Sequence, residues 1–334
     1  MTRMSKLFKG KLFSYLVAIN KGMLFDDARY YAKNALQGSR AVPDVDVNST
    51  VIQAIATYAN LPVTSEHLDT FVHGFKHWTG LCLDNFDADY SAGCTQSFDS
   101  FYLRHRDKKF RCLVGEYFYH LKTWESNNIN WSFIDADNPL QTGDALVISY
   151  PFCDTGNFFN TSILEECCAK DIPVLIDMCY YPLTSGCAFD FDYECIDTVA
   201  FSLSKVFPVA NYRIGVRYTR KDIHDGQKLH HSINYNNMLS AFIGSKLIEK
   251  YNVTHIYNTY NSKQKEACEF LNLTPSDSVL FAVGDEDWNT YSRHNLLDAY
   301  QLDFDAKMFC NRICLIPVYE HWNLFERFKH GYIT

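Results

Sequence analysis

A lysine and an arginine in the middle of the chain could together do covalent and anion-binding chemistry. Lys205 comes directly after a short apolar run, and Arg213 follows it by eight residues (213 − 205 = 8). A lysine amine becomes nucleophilic near neutral pH when it is partly desolvated or lies beside another cation, and this position offers both conditions. The planar arginine side chain can bind a phosphate through two parallel hydrogen bonds. The simpler alternative is a lysine in a solvated loop.

Three other segments carry polar or aromatic residues where apolar runs end. Asp177 closes the run 173–177 and lies 28 residues before Lys205 (205 − 177 = 28). A Gly-containing turn at 90–98 precedes a helical pattern, and backbone N–H groups at such a helix start can bind phosphate. The segment 115–120, G-E-Y-F-Y-H, follows a further apolar run. Taken singly, each has an ordinary explanation as a turn cap or a core aromatic residue.

The elements that must position these residues have the pattern of an α/β domain. The short apolar runs 111–114, 145–149, 174–177 and 198–202 predict strands, and 160–170 predicts a helix between the second and third of them. Continuous apolar strands separated by helices are typical of a parallel sheet that is covered on both faces. Ligands of such sheets bind beyond the carboxyl ends of the strands, which is where the polar residues above are expected.

The second half of the chain predicts a smaller domain. An amphipathic helix is expected at 234–251, another helix at 263–271, and strands at 278–283 and 312–317. We expect a large domain over 46–246, with 1–45 and 247–334 forming a smaller α/β domain.

Composition excludes several classes of function. The net charge is −8 and the sequence pI is about 5.8, so no overall positive field attracts nucleic acid. No apolar run approaches the roughly 20 residues of a membrane span, and no secretory signal is recognisable, so we expect no membrane partner and a cytoplasmic location. The twelve cysteines are dispersed without a Cys-x-x-Cys spacing, so no metal is expected.

Two of the segments resemble the fold-type-I pyridoxal-phosphate (PLP) enzymes, specifically the class I/II aminotransferases. The stretch V-A-F-S-L-S-K-V-F-P-V-A-N-Y-R-I-G over 199–215 is similar to the family's lysine segment. The resemblance implies that Lys205 forms a Schiff base, the internal aldimine, with pyridoxal 5′-phosphate, and that Ser202 and Arg213 hold the cofactor phosphate. The stretch P-V-L-I-D-M-C-Y-Y over 173–181 implies that Asp177 binds the pyridine nitrogen and Tyr180 the phenolic oxygen.

The two remaining segments are similar to the family in the same order along the chain. In Y-S-A-G-C-T-Q-S-F over 90–98, the resemblance implies that Gly93, Cys94 and Thr95 complete the phosphate site. In the segment 115–120 it implies that Tyr117 stacks on the pyridine ring and that His120 bonds the pyridine-binding aspartate. The expected fold is therefore a mostly parallel central sheet flanked by helices, with a smaller α/β domain.

The chain departs from the family pattern at two places. Cys153, in Y-P-F-C-D-T-G over 150–156, replaces an asparagine that donates to the phenolic oxygen, and a thiol is a weaker donor. The chain also ends in G-Y-I-T, without the family's terminal carboxylate-binding arginine. Either Arg312, Arg327 or Arg40 replaces it, or the substrate lacks a normally placed α-carboxylate. Tyr58 is similar in position to a tyrosine that reaches the phosphate of a partner subunit, which implies a homodimer. The equal alternative is a buried structural tyrosine.

These resemblances leave three functions open. The first is transamination of an amino acid or related amine, with Lys205 as acid and base and Asp177 stabilising the electron sink. The second is a PLP-dependent decarboxylase or lyase, which the changed asparagine and the missing terminal arginine favour. The third is a non-catalytic module with the aminotransferase fold.

Overall fold

The computed structural model describes residues 38–330, except for residues 63, 65, 221–222, 292, 294–304 and 306–307. The first 37 residues, which were assigned to the smaller domain, and the terminal segment 331–334 lie outside the described residues.

The described chain is built on a seven-stranded sheet with one antiparallel member inside it. The strands are β1 (Asp87–Ser91), β2 (Lys109–Cys112), β3 (Trp131–Phe133), β4 (Asp144–Ser149), β5 (Val174–Asp177), β6 (Ile196–Ser202) and β7 (Gly215–Thr219). Their order across the sheet is β1-β7-β6-β5-β4-β2-β3. Only β7 runs antiparallel to its neighbours β1 and β6, while the other pairings are parallel.

Helices accompany the sheet strands as the sequence pattern requires. They are α1 (Val45–Tyr58), α2 (Glu66–Thr79), α3 (Cys94–Arg104), α4 (Phe118–Ser126), α5 (Ile163–Ala169), α6 (Gly226–Ser232), α7 (Met238–Lys250), α8 (His255–Leu271), α9 (Ile316–Glu320) and α10 (Trp322–Lys329). Short 3₁₀ turns occur at Tyr181–Leu183, Ala210–Tyr212 and Glu286–Tyr291. Strands β4 and β5 are buried along their whole length, which explains their unbroken apolar sequences.

A small antiparallel sheet follows the long helix α8. It contains β8 (Thr274–Pro275), β9 (Phe281–Gly284) and β10 (Asn311–Cys314), in the order β10-β9-β8. Its apolar residues belong to the same core cluster as those of the large sheet. The predicted fold class, a mostly parallel central sheet flanked by helices, is confirmed. The exact domain boundaries at 46–246 remain a proposal.

Close packing of α7 depends on a glycine. A Cβ atom at Gly244 would lie 2.5 Å from Phe71 Cε2 and 2.9 Å from Ile214 Cγ2. Real Cβ atoms do not approach other atoms this closely, so a larger residue would push α7 away from α2 and from the chain entering β7.

A fully buried arginine ties the edge of the large sheet to α6. Arg217 of β7 donates hydrogen bonds to Asp89 of β1 at 2.7 Å and to Asp225, the N-cap of α6, at 2.5 and 3.1 Å. These two carboxylates supply the partners that a buried guanidinium requires. Among the helices described here, none is both long and apolar enough to cross a bilayer.

Candidate active site

The polar residues predicted at strand ends converge on one cavity beside the large sheet. Strand register brings Ser149 beside Asp177, and Ser202 and Ser91 beside Gly215, at one edge of the sheet. The cavity at this edge is lined by Cys94, Thr95, Phe98, Tyr117, Cys153, Asp177, Cys179, Tyr180, Ser202, Ser204, Lys205, Ala210 and Arg213. Parallel strands place their carboxyl ends together, and β7 contributes because its antiparallel start lies at the same edge.

One end of the cavity is built to bind an anion. Helix α3 begins there, with Gly93 as its N-cap, so its first backbone N–H groups and its positive dipole end are available to an anion. Arg213 extends its guanidinium across this helix start and donates to Thr95 Oγ1 at 3.1 Å. The Ser202 hydroxyl bonds the Ser204 hydroxyl at 2.8 Å on the opposite side.

Glycine is required where these segments meet. Gly93 has φ +79°, and a Cβ atom there would lie 2.4 Å from Arg213 Nη2. A Cβ at Gly215 would lie 2.4 Å from the Phe201 carbonyl oxygen and 3.1 Å from Gly93 Cα. The two glycines therefore allow the arginine to lie directly against the helix start.

The cavity also holds a buried carboxyl group. Asp177 is 7% exposed, and burial raises its pKa to about 6. The backbone N–H of Cys179, at 2.9 Å, the thiol of Cys94 and the charge of Lys205 oppose this rise, because all three favour the carboxylate. The carboxyl group therefore titrates close to neutral pH and can share a proton with a base in the cavity.

The amine of Lys205 also lines the cavity and contacts the N-terminal segment. Its Nζ donates to the carbonyl oxygen of Ser39 at 2.7 Å. The hydroxyl of Ser39 also bonds the Tyr180 hydroxyl at 3.0 Å. The segment that includes Ser39 thus covers the lysine and the tyrosine together, which sequence reasoning did not anticipate.

A second buried carboxyl group, Glu116, stands behind the cavity and was missed from the sequence. It accepts hydrogen bonds from the Ser149 backbone N–H at 2.8 Å and the Ser149 hydroxyl at 2.7 Å. The Ser149 hydroxyl in turn accepts from the Cys153 N–H at 2.7 Å. Burial raises the pKa of Glu116 to about 7, and the charge of Asp177 adds to this effect. Glu116 therefore holds the loop that carries Cys153.

Two buried arginines surround Cys153. Arg293 Nη1 lies 3.4 Å and Arg312 Nη1 3.7 Å from its Sγ, and Arg312 also donates to the Cys153 carbonyl oxygen. Arg293 is further occupied by the carbonyl oxygens of Gly115 and Glu116. The Nε of Arg312 is buried and has no hydrogen-bond partner among the described residues. Arg312 thus has a buried donor without a partner in the described part of the chain, beside the cavity-lining Cys153.

The two residues predicted in the aromatic segment after β2 lie in different surroundings. Tyr117 lines the cavity as predicted. His120 is fully buried behind it, and its Nδ1 bonds the Tyr102 hydroxyl. No hydrogen bond joins His120 to Asp177 in the described part of the chain, which corrects the predicted contact. The Tyr102 hydroxyl occupies Nδ1, and Nε2 has no hydrogen-bond partner in the described part of the chain. Burial lowers the His120 pKa to about 3 and keeps the ring neutral.

The remaining predicted residues lie away from the cavity within this chain. Tyr58 ends α1 and packs against the rings of His67 and Phe242. Arg40 is paired with Glu320, so its charge is already engaged. Arg327 is exposed on α10. Among the three arginine candidates for binding a carboxylate, only Arg312 is buried beside the cavity.

No family model matches the sequence, and no curated protein matches it. Solved structures do match. The PLP-bound C-S lyase from Staphylococcus hominis aligns with a TM-score of 0.63 and 14% identity over 90% of this chain and 91% of that one. N-succinyldiaminopimelate aminotransferase from Mycobacterium tuberculosis gives a TM-score of 0.64 and 15% identity, covering 94% and 96%. Histidinol-phosphate aminotransferase from Clostridium acetobutylicum gives 0.62 and 12%, covering 89% and 98%. The chain therefore has the fold of the fold-type-I PLP enzymes.

Proposed function

We propose that this protein is a PLP-dependent enzyme that binds its cofactor covalently through Lys205. The observation that carries the proposal is the arrangement of Lys205, Asp177 and Arg213 around one cavity. An anion-binding helix start, an amine and a buried acid around one cavity match the phosphate, the aldehyde and the pyridine nitrogen of this cofactor. A binding module without a cofactor has no physical need for this set of residues.

The residues present fit the cofactor by shape as well as by charge. The close approach of Arg213 to Gly93, which any Cβ would prevent, leaves the first turn of α3 open to a phosphate. Thr95, Ser202 and Arg213 would bind that phosphate, and Tyr117 offers an aromatic face to the ring. When bound, the cofactor supplies an aldehyde carbon for the amine and an electron-withdrawing ring.

The chain's own groups then have separate roles. Asp177, whose pKa lies near 6, would hold a proton at the ring nitrogen, and its buried position would strengthen that interaction. The Lys205 amine would remove a proton from the substrate α-carbon and deliver it to the cofactor carbon that carries the aldehyde. Tyr180 would donate to the phenolic oxygen. Ser39 holds the lysine through its carbonyl oxygen.

The reaction we favour is transamination of an amino acid or related amine. Arg312 is the residue we assign to the substrate carboxylate, because it is buried, stacks on the Phe281 ring at 4.2 Å and keeps a free Nε donor within the described residues. A PLP-dependent lyase is the second candidate. It is favoured by the C-S lyase among the similar structures and by Cys153 at the position of the family's asparagine. Both reactions use the same cofactor and lysine.

The cofactor assignment is tested by absorbance. Protein purified with PLP should show a near-ultraviolet or visible band that Lys205→Ala abolishes. The control variant Lys246→Ala, at a partly exposed lysine outside the cavity, should retain this band. Amino donors should then convert the band to the pyridoxamine form if the enzyme transaminates. Release of a sulfide or of carbon dioxide without that conversion would identify a lyase or a decarboxylase. A wild-type band indistinguishable from that of Lys205→Ala would refute covalent binding.

The role of Arg312 is tested by substrate comparison. Arg312→Lys should raise the KM for amino acids by about tenfold or more, since lysine cannot form the bidentate contact, and should leave simple amines unaffected. An equal effect on both substrates would contradict carboxylate binding. A homodimer with Tyr58 at the partner's phosphate and a cytoplasmic location remain predictions.

A further inference from the structure

The floor of the cavity contains a cluster of three side chains that can ligate metal. The sulfur atoms of Cys94 and Cys179 and a carboxylate oxygen of Asp177 all lie within 4.8 Å of one another. Cys94 is 6% exposed and Asp177 7%, while Cys179 is half-buried and faces the cavity. The two cysteines are 85 residues apart (179 − 94 = 85), so their spacing in the sequence gave no sign of a metal site.

The cluster has the ligand chemistry of a thiophilic cation. Two thiolates and one carboxylate suit Zn²⁺, which binds sulfur at about 2.3 Å and oxygen at about 2.0–2.2 Å. In tetrahedral geometry these bond lengths put the ligand atoms about 3.5–3.8 Å apart. Side-chain rotations that move each ligand atom by about 1 Å would therefore bring all three within bonding distance of one cation. A hard cation such as Mg²⁺ prefers oxygen ligands and is disfavoured here.

A bound cation would itself deprotonate the thiols, since it stabilises the thiolates that ligate it. In the empty cluster, burial and the neighbouring Cys179 and Asp177 raise the pKa of the Cys94 thiol. Cys94 is also the first residue of α3, where the positive end of the helix dipole acts in the opposite direction. Lys205 lies close enough to Asp177 to favour its charged form. Three anionic ligands and one divalent cation leave a net charge of −1, which the lysine ammonium offsets. The open cavity beside Cys179 leaves room for a water as fourth ligand.

We propose that Cys94, Asp177 and Cys179 form a binding site for a thiophilic divalent cation such as Zn²⁺ in the cofactor-free protein. Binding forms two metal–sulfur bonds and one metal–oxygen bond. The two thiol protons are released to solvent, and no atom changes oxidation state.

The cation would compete with the cofactor. This part of the proposal rests on the proposed function, in which Asp177 holds the proton of the pyridine nitrogen. One carboxylate cannot serve a metal and a ring nitrogen in the same narrow space. Loading with PLP is therefore expected to exclude the metal, and a bound metal should slow or prevent uptake of PLP.

The experiment uses Co²⁺ as the probe and protein freed of PLP and metals. Wild-type protein should bind one equivalent of Co²⁺ with a thiolate-to-metal charge-transfer band and the visible bands of a tetrahedral site. Cys94→Ser and Cys179→Ser should each weaken Co²⁺ binding by at least about tenfold. Loss of a residue that only hydrogen-bonds a metal ligand already weakens metal binding by about 10–100-fold, so loss of a ligand should weaken it at least as much. The exposed Cys82→Ser is the matched control and should bind as wild type.

Circular dichroism and melting temperature identify any variant that does not fold, in which case Asp177→Asn provides a second test of the same site. Absence of a charge-transfer band in folded wild-type protein, or a band that persists in both cysteine variants, would overturn the metal site. Protein preloaded with PLP should take up no Co²⁺ at this site, and an unchanged band there would overturn the competition. Failure of the protein to bind PLP at all would instead refute the proposed function and leave the Co²⁺ result valid.

Discussion

Glu116 gives a quantitative test of the buried site, because its carboxyl group is fully buried and its pKa is raised to about 7. In the unfolded chain the same group titrates at its usual value of 4.5. Between these pH values the folded protein keeps the proton that the unfolded chain has lost. The free energy of unfolding must therefore fall as pH rises from 4.5 to 7, and Glu116 adds no further change above 7.

The expected size of this effect follows from the two pKa values. Each pH unit of difference corresponds to about 1.4 kcal/mol, so Glu116 should reduce the free energy of unfolding by about 3 kcal/mol across this range. Glu116→Gln has nearly the same shape and does not ionise. Relative to wild type, the variant should become more stable by about 3 kcal/mol as pH rises from 4.5 to 7.5, starting from a small difference at pH 4.5.

The assay is reversible urea unfolding of the PLP-free protein at several pH values, followed by tryptophan fluorescence. The exposed Glu125→Gln is the matched control and should show a constant difference from wild type. The reasoning is refuted if wild type and Glu116→Gln differ in their free energy of unfolding by an amount that stays constant within about 1 kcal/mol over the whole pH range. That result would mean that Glu116 ionises normally in the folded protein.

Two further predictions concern the buried ion pair of Arg217 and the glycine that precedes α3. Arg217→Met should lower the free energy of unfolding by about 3–5 kcal/mol, because it leaves the buried Asp89 without its partner and removes one of the two arginines that contact Asp225. Lys76→Met, at an exposed pair, should change it by less than about 1 kcal/mol in urea titrations. Gly93→Ala should weaken PLP binding by about tenfold or more in absorbance titrations, because the new Cβ would meet Arg213. Gly143→Ala, which also has a positive φ but meets nothing within 4 Å, should bind PLP as wild type; equal affinities of both glycine variants would contradict the phosphate assignment.

The sequence predicted the central strands well because their burial leaves a direct mark on composition. The strand predicted at 174–177 has the same bounds in the structure, and those predicted at 145–149 and 198–202 begin one and two residues earlier. In a sheet covered on both faces, every position of such a strand is apolar, so a short run is enough to identify it. Residues that end these runs, such as Asp177, were located for the same reason.

The edge of the same sheet was not predicted, and buried charge explains why. Strand β1 reads D-A-D-Y-S and β7 reads G-V-R-Y-T, so neither looks apolar. Asp87 is exposed, but Asp89 and Arg217 are buried and pair with each other across the two strands. A pattern of single residues cannot reveal such a pair, because each charge read alone indicates exposure.

Contacts between distant segments were equally hidden from the sequence. The bond from Lys205 to Ser39 spans 166 residues, and that from Arg312 to Cys153 spans 159. No local pattern reports such distances. His120 shows the opposite error, since a correct position along the chain did not fix its partner, and Tyr102 competes successfully for its ring nitrogen.

The surroundings of Cys153 determine whether its thiol is protonated and how well it can donate a hydrogen bond. A thiol replaces the expected asparagine amide, and burial raises its pKa even though Arg293 and Arg312 both favour the thiolate. Cys153 therefore remains a neutral thiol and a weak hydrogen-bond donor at neutral pH. Under the proposed function, the phenolic oxygen of the cofactor would then depend mainly on Tyr180, whose hydroxyl bonds that of Ser39 in this structure. Replacing Tyr180 by phenylalanine should consequently disturb the cofactor's absorbance more than replacing Cys153 by serine.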